Sequence, residues 1–176
     1  MLINDLALPA VSMSEAQAYA RVETGEEEAL LAGLVRTASA LCEAFTGQVL
    51  VARDFADEVA ASREWKRLAL TPVRTIGAVG RAAIDGSATA LAPEEYAVDI
   101  DAQGDGWVRA TRVSEGRLRV SGRAGLAEDQ NGVPEPLRQG ILRLVAHLFS
   151  TRDGSSGEPP TAVSALWRPY RRMRLS

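Results

Sequence analysis

Residues 134–148 read PEPLRQGILRLVAHL, and their pattern decides the fold. Pro134 and Pro136 suit the first turn of a helix, where N–H groups have no intrahelical partner and a missing donor costs nothing. Leu137, Ile141, Leu144, Val145 and Leu148 then recur at three- and four-residue spacing, an apolar stripe along one face. The stripe predicts a helix over 134–152, with Gly154 marking its stop. Residues 154–160, rich in Gly, Ser and Pro, read as a loop or hinge. Thr161 can cap a last short helix through Trp167, which Pro169 limits.

Helical signals return at the other end of the chain. Ser12 with Glu15 has capping-box spacing and predicts a helix over 14–22. Thr24 with Glu27 repeats the device before a longer helix over 25–46. Leu30, Leu34, Ala38, Leu41 and Phe45 form its expected buried stripe, broadened by Leu31, Val35 and Cys42. Glu28, Arg36, Ser39 and Glu43 are placed on the opposite face, and Gly47 is the expected stop.

Between the helices, about 49–125, short runs of β-branched residues alternate with turns. Leu68 and Leu70 alternate before Pro72, and 73–79 reads as a strand. Asp85-Gly86 reads as a two-residue hairpin turn joining 81–84 to 87–91. Further strands are expected at 96–100, 107–113 and 117–121, the last with Leu118 and Val120 inward. The fold class is therefore α+β. It is read as a small helical bundle (two N-terminal helices, one long late helix and a short C-terminal helix) with an inserted antiparallel β region. Residues 1–166 are expected to form a single domain, and 167–176 a basic C-terminal tail.

Composition narrows the function classes. The chain has 176 residues, enough to bury a real core, and a 46% hydrophobic share that argues against wholesale disorder. A net charge of −3 argues against coating nucleic acid or an anionic membrane through bulk charge. No run of about 18 apolar residues suggests a membrane span, and the N-terminal stretch lacks the basic leader of a signal peptide. Cys42 is the sole cysteine, so no intrachain disulfide can form. A cytoplasmic site of synthesis is expected.

Chemistry-bearing patterns are scarce. His147 is the single histidine and lies outside the apolar stripe of its helix, near Arg143, so it reads as a surface or packing residue. Zinc would have almost no ligands to draw on. Neither a nucleophile elbow, nor a dinucleotide fingerprint, nor a phosphate loop with its lysine occurs. Asp99, Asp101 and Gln103 imitate the start of a calcium loop, but position twelve would be Ala110 where a bidentate glutamate is needed. The carboxylates Glu26, Glu27 and Glu28 suit a helix N-terminus, and Glu94-Glu95 a solvated turn. No catalytic residue, cofactor or metal site is expected, and the chain is read as not an enzyme.

Taken in order, the segments resemble the head–tail connector (adaptor) proteins of long-tailed phages and gene-transfer agents. Residues 16–22, closing on Arg21-Val22, look like that family's opening helix. Glu43-Ala44-Phe45-Thr46-Gly47-Gln48-Val49-Leu50 looks like the end of its second helix and the step into a strand. Leu70-Thr71-Pro72-Val73 with Ile76 and Val79, Tyr96-Ala97-Val98-Asp99, and Ala124-Gly125 match the pieces that follow. Val133-Pro134-Glu135-Pro136-Leu137-Arg138-Gln139 leading into Leu144-Val145-Ala146-His147 is similar to the signature helix. Pro159-Pro160-Thr161-Ala162-Val163 with Leu166 and Arg168-Pro169-Tyr170-Arg171 is similar to the C-terminal segment. The region 81–116 exceeds the smallest members.

The resemblance implies a structural subunit of a ring, twelvefold, beneath the portal protein of a phage or gene-transfer-agent particle. Such a ring would extend the DNA channel, let DNA pass without specific binding, and offer a platform to the next neck protein, a stopper or tail terminator. It would be assembled in the bacterial cytoplasm and reside in the virion neck. The alternatives are a tail-completion or other neck protein of the same particle, or an uncharacterised α+β enzyme. Within this reading the C-terminal tail is the expected portal-docking segment. It carries Trp167, Arg168, Tyr170, Arg171, Arg172, Met173, Arg174 and Leu175 and no acid, and Trp, Tyr and Arg dominate interface hot spots.

Overall fold

Ser12 opens the first helix of the computed structural model, which describes residues 2–3, 7–21, 27–112, 115–151 and 160–172. The expected Thr24 cap, residues 154–159 of the expected hinge, Val113, and Met173, Arg174 and Leu175 of the expected tail lie outside these. The chain divides into two compact units, one of residues 1–5 and 52–125, the other of 6–51 and 126–176.

The second unit holds the four α-helices of the described residues: α1 (Met13–Ala20), α2 (Glu28–Thr46), α3 (Glu135–Ser150) and α4 (Thr161–Trp167). The predicted capping box closes α1, since Ser12 Oγ accepts the Glu15 N–H and Glu15 Oε2 accepts the Ser12 N–H at 2.9 Å. The Ser12 N–H and the Ser12 hydroxyl, both donating to Oε2, hold the Glu15 carboxyl below the usual carboxylate range. α2 ends as expected at Gly47, left-handed at φ 69°, whose N–H donates to Glu43 O. α3 buries Leu137, Ile141, Leu144 and Val145, the stripe read from the sequence. It packs against α1, α2 and α4, and Arg138 ties it to Glu15 of α1 by an ion pair.

The seam of α2 differs from expectation. Its buried residues are Leu31, Val35, Ala38, Ser39, Cys42 and Thr46, whereas Leu30 and Leu41 are each 43% exposed. The helix is apolar over more of its circumference than one core can use, so periodicity alone could not select the buried face. Ser39 is buried because its hydroxyl accepts the Ala10 N–H at 3.1 Å. Thr46 returns its hydroxyl to Cys42 O at 2.7 Å.

The first unit is built from strands β1 (Leu2–Ile3), β2 (Arg53–Ala60), β3 (Lys66–Arg67), β4 (Val73–Ala82), β5 (Ala88–Ala90), β6 (Tyr96–Ile100), β7 (Gly106–Ala110) and β8 (Arg117–Ala124). A five-stranded antiparallel sheet runs β1-β2-β8-β4-β5, and a three-stranded one β3-β7-β6. Leu118 and Val120 face inward as expected, buried with Phe55, Val79 and Val108. Gly122 is required where β4 crosses β8, because a Cβ there would lie 2.2 Å from Thr75 O.

Two expectations fail locally in this unit. β2 carries no clear strand signal, because Arg53, Asp54, Asp57 and Glu58 give it a polar look. Two of its acids are satisfied in place: buried Asp57 accepts the Ala69 N–H at 2.7 Å, and Glu58 pairs with Arg119 at 2.6 Å and Arg117 at 3.3 Å. The β4–β5 hairpin does not turn on two residues. Ala83 N–H donates to Ser87 O and Gly86 N–H to Ala83 O, so Ile84, Asp85 and Gly86 form a three-residue loop with Gly86 at φ 85°.

The second unit also contains the stem from which residues 52–125 depart. Leu126 N–H donates to Val49 O at 2.9 Å, Ala127 N–H donates to Leu50 O at 3.0 Å, and Val51 bridges Ala127 in parallel.

Candidate interaction surfaces

The C-terminal segment begins inside the core. Val163 and Trp167 are the buried residues of α4, and Trp167 is only 2% exposed. Its indole N–H donates to the Leu137 carbonyl at 3.2 Å, and its ring meets Phe45 at 5.8 Å with a 57° tilt. Gly140 makes the space, since a Cβ there would sit 2.1 Å from the indole nitrogen. Trp167 is therefore a core residue and not an exposed docking anchor, and the expected body–tail boundary at 166/167 cuts through packed structure.

The chain remains attached beyond it. Gln48 Nε2 donates to Tyr170 O at 2.6 Å, and Arg172 N–H donates to Thr46 O at 2.8 Å. The Arg171 guanidinium stands 5.7 Å from the Phe45 ring, within cation–π reach. Of the expected docking residues, Arg168 and Arg171 are exposed and Tyr170 and Arg172 half-buried. The structure thus brings Arg168, Tyr170, Arg171 and Arg172 together at the C-terminal end of α2.

A second surface, missed in the sequence, lies on the small sheet. Register places Arg67 opposite Trp107 and Trp107 opposite Asp99, so all three share one face. Trp65, 41% exposed, lies under the Arg109 guanidinium at 4.8 Å. Trp65, Asp99 and Trp107 line an open cleft of about 270 Å³. Two tryptophans flanked by arginines have the composition of an interface centre. Trp65 and Trp107 are far apart in sequence, and only strand register brings them together.

The calcium-like loop has a different use. Asp101 Oδ1 accepts the Gln103 and Asp105 N–H groups, each at 2.9 Å, and Oδ2 accepts the Trp107 indole N–H at 3.0 Å. These bonds, the indole's foremost, hold the Asp101 carboxyl below its ordinary range. The β6–β7 turn is thereby fixed by its own carboxylate. Among the described residues no group of three His, Cys, Asp or Glu could hold a metal ion. Cys42 is buried, and desolvation pushes its thiol pKa up, away from the thiolate a nucleophile needs.

No protein-family model and no curated protein matches this chain. Solved structures do. The chain shares its fold with neck components of gene transfer agent particles. A chain of the neck of an empty particle, computed with sixfold symmetry, superposes with a TM-score of 0.78 at 26% identity, covering 100% of this chain and 97% of that one. A chain from the virion of a native gene transfer agent gives 0.77 at 25% identity with the same coverage. A third, from the neck of a native particle computed with twelvefold symmetry, gives 0.74 at 23% identity with the same coverage and speaks for the fold alone.

Proposed function

We propose that this chain is a structural head–tail adaptor, a neck subunit that forms a ring on the portal protein of a gene-transfer-agent or phage-like particle. The observation that carries the reading is the likeness to the empty-particle neck chain, which extends over all of this chain and nearly all of that one at 26% identity. The sixfold symmetry with which that neck was computed supports a ring. The net charge is −3, which suits a channel through which DNA slides without being gripped.

In this reading the ring carries tail attachment through the next neck protein and performs no catalysis. Docking to the portal falls to the C-terminal segment, starting at Arg168 and not at Trp167. Arg168, Tyr170, Arg171 and Arg172 lead into Met173, Arg174 and Leu175 and would meet an acidic groove on the portal. Modest single contacts repeated around a ring add up by avidity.

The test is direct. Negative-stain images and co-sedimentation of the protein with the portal of its particle should show a ring seated on one end of the portal. Arg168→Glu with Arg171→Glu should abolish seating while leaving the circular dichroism unchanged. A protein that never binds portal, or a tight isolated dimer, overturns the reading. Seating by the double variant with unchanged affinity moves the docking surface elsewhere.

A further inference from the structure

Helix α2 has two apolar faces and one core. The buried face is Leu31, Val35, Ala38, Ser39, Cys42 and Thr46. On the opposite side, at three- and four-residue spacing, lie Ala29, Leu30, Gly33, Thr37, Ala40, Leu41 and Ala44, none of them charged. Leu30 and Leu41 stand in solvent, eleven residues and about 16 Å apart along the axis. Between them the side chains are small, and a Cβ on Gly33 would meet nothing within 4 Å. Arg36 is exposed on the flank of this face and makes no ion pair among the described residues.

The first unit carries an unlike feature of the same polarity. From Ala83 through Ala90 every residue of the β4–β5 hairpin is exposed, and Ile84 at its tip is wholly so. Four alanines, Ala82, Ala83, Ala88 and Ala90, accompany the isoleucine; Asp85 is the one charged residue of the loop itself, whose Gly86 carbonyl accepts from the Arg119 guanidinium at 2.6 Å. Among the described residues β5 is the edge strand of its sheet. A fully solvated isoleucine at the tip of an exposed hairpin is a feature that monomers avoid.

We infer that the Ile84 hairpin of one copy of this chain docks on the Leu30–Leu41 face of α2 in the next copy, forming the head-to-tail contact of the ring. The inference rests on the adaptor reading. A ring closes only through heterologous contacts, so each subunit must present two unlike patches. Here one is a projecting apolar tip and the other a shallow apolar seat of small residues between two leucines. Charge adds to this: the Asp85 carboxylate, held by the Ser87 N–H and hydroxyl, would face Arg36, which makes no ion pair among the described residues.

The test uses the full chain with its portal. Ile84→Cys and Leu41→Cys are combined in one chain and treated with a short bis-maleimide, with each single variant and the parent as controls. Portal co-sedimentation is scored on the same samples. The double variant should give a ladder of covalent oligomers rising toward the closed ring, while either single variant gives none. Ile84→Asp and Leu41→Glu should each raise the concentration needed for ring assembly by about tenfold or more without changing the circular dichroism. A strong dimer from Leu41→Cys alone would show a face-to-face contact and overturn the inference. Portal binding without a ladder overturns it while leaving the adaptor reading intact. Failure of both readouts rejects both.

Discussion

Replacing Trp167 with alanine tests the main energetic claim about the C-terminal segment. The indole is buried, donates to Leu137 O, and packs on Phe45 and Gly140. Truncating a buried aromatic to alanine costs about 3–5 kcal/mol, a large part of the roughly 5–15 kcal/mol that holds a domain together. At about 4–8 °C per kcal/mol for a unit of this size, the Tm should fall by at least about 12 °C. The α-helices of the described residues all lie in this unit, so ellipticity at 222 nm follows its unfolding. Arg168→Ala and Arg171→Ala, on the exposed side of the same segment, should stay within about 0.5 kcal/mol. Gly140→Ala should be strongly destabilising alone and much less so with Trp167→Ala, because the added methyl then enters the vacated space. If Trp167→Ala costs under about 1 kcal/mol, or Gly140→Ala costs the same in both backgrounds, Trp167 is not part of the core.

Two further outcomes follow from charge and burial. The carboxyls of Glu15, Glu58 and Asp101 are held below their ordinary values of 4.5, 4.5 and 3.8 by Ser12, Arg119 and the Trp107 indole respectively. The native state therefore binds fewer protons than the unfolded one. The stability these groups contribute is present above about pH 4.5 and is lost as pH falls through their lower native values. The Tm should drop between pH 5 and pH 3, and a flat or rising profile there would contradict the assignment. Cys42, with its thiol pushed up by burial, should react with a maleimide at pH 8 only as fast as the helical unit opens. Labelling of the folded protein at the rate of a free thiol would refute that.

Much of the fold was legible because its signals were local. The capping box at Ser12 and Glu15, the Gly47 stop and the stripe from Leu137 to Val145 each lie within a few turns of chain, where physics and sequence distance coincide. The failures share a different cause. β2 looked polar because the partners of Asp57 and Glu58 lie 12 and about 60 residues away. Leu30 and Leu31 compete for the core with equal hydrophobicity, and what selects between them is packing against α3 and the Ala10–Ser39 bond. Trp167 showed the right residue type for an interface and turned out to fill a core, since aromatic content cannot distinguish the two. The Trp65, Asp99 and Trp107 cleft was invisible because β6, β7 and the residue that precedes β3 assemble it.

The stem formed by Val49, Leu50 and Val51 against Leu126 and Ala127 has a consequence for how such a chain can change. Exit and return lie side by side, hydrogen-bonded to each other, so the ends of the excursion are held by the helical unit whatever lies between them. Loop length then enters stability only logarithmically, at about 0.6 kcal/mol per doubling. Residues 52–125 thus behave as a cassette on a fixed socket, open to being lengthened, trimmed or grafted from a relative. The helical unit can keep one set of contacts while the cassette is refitted to different neighbours.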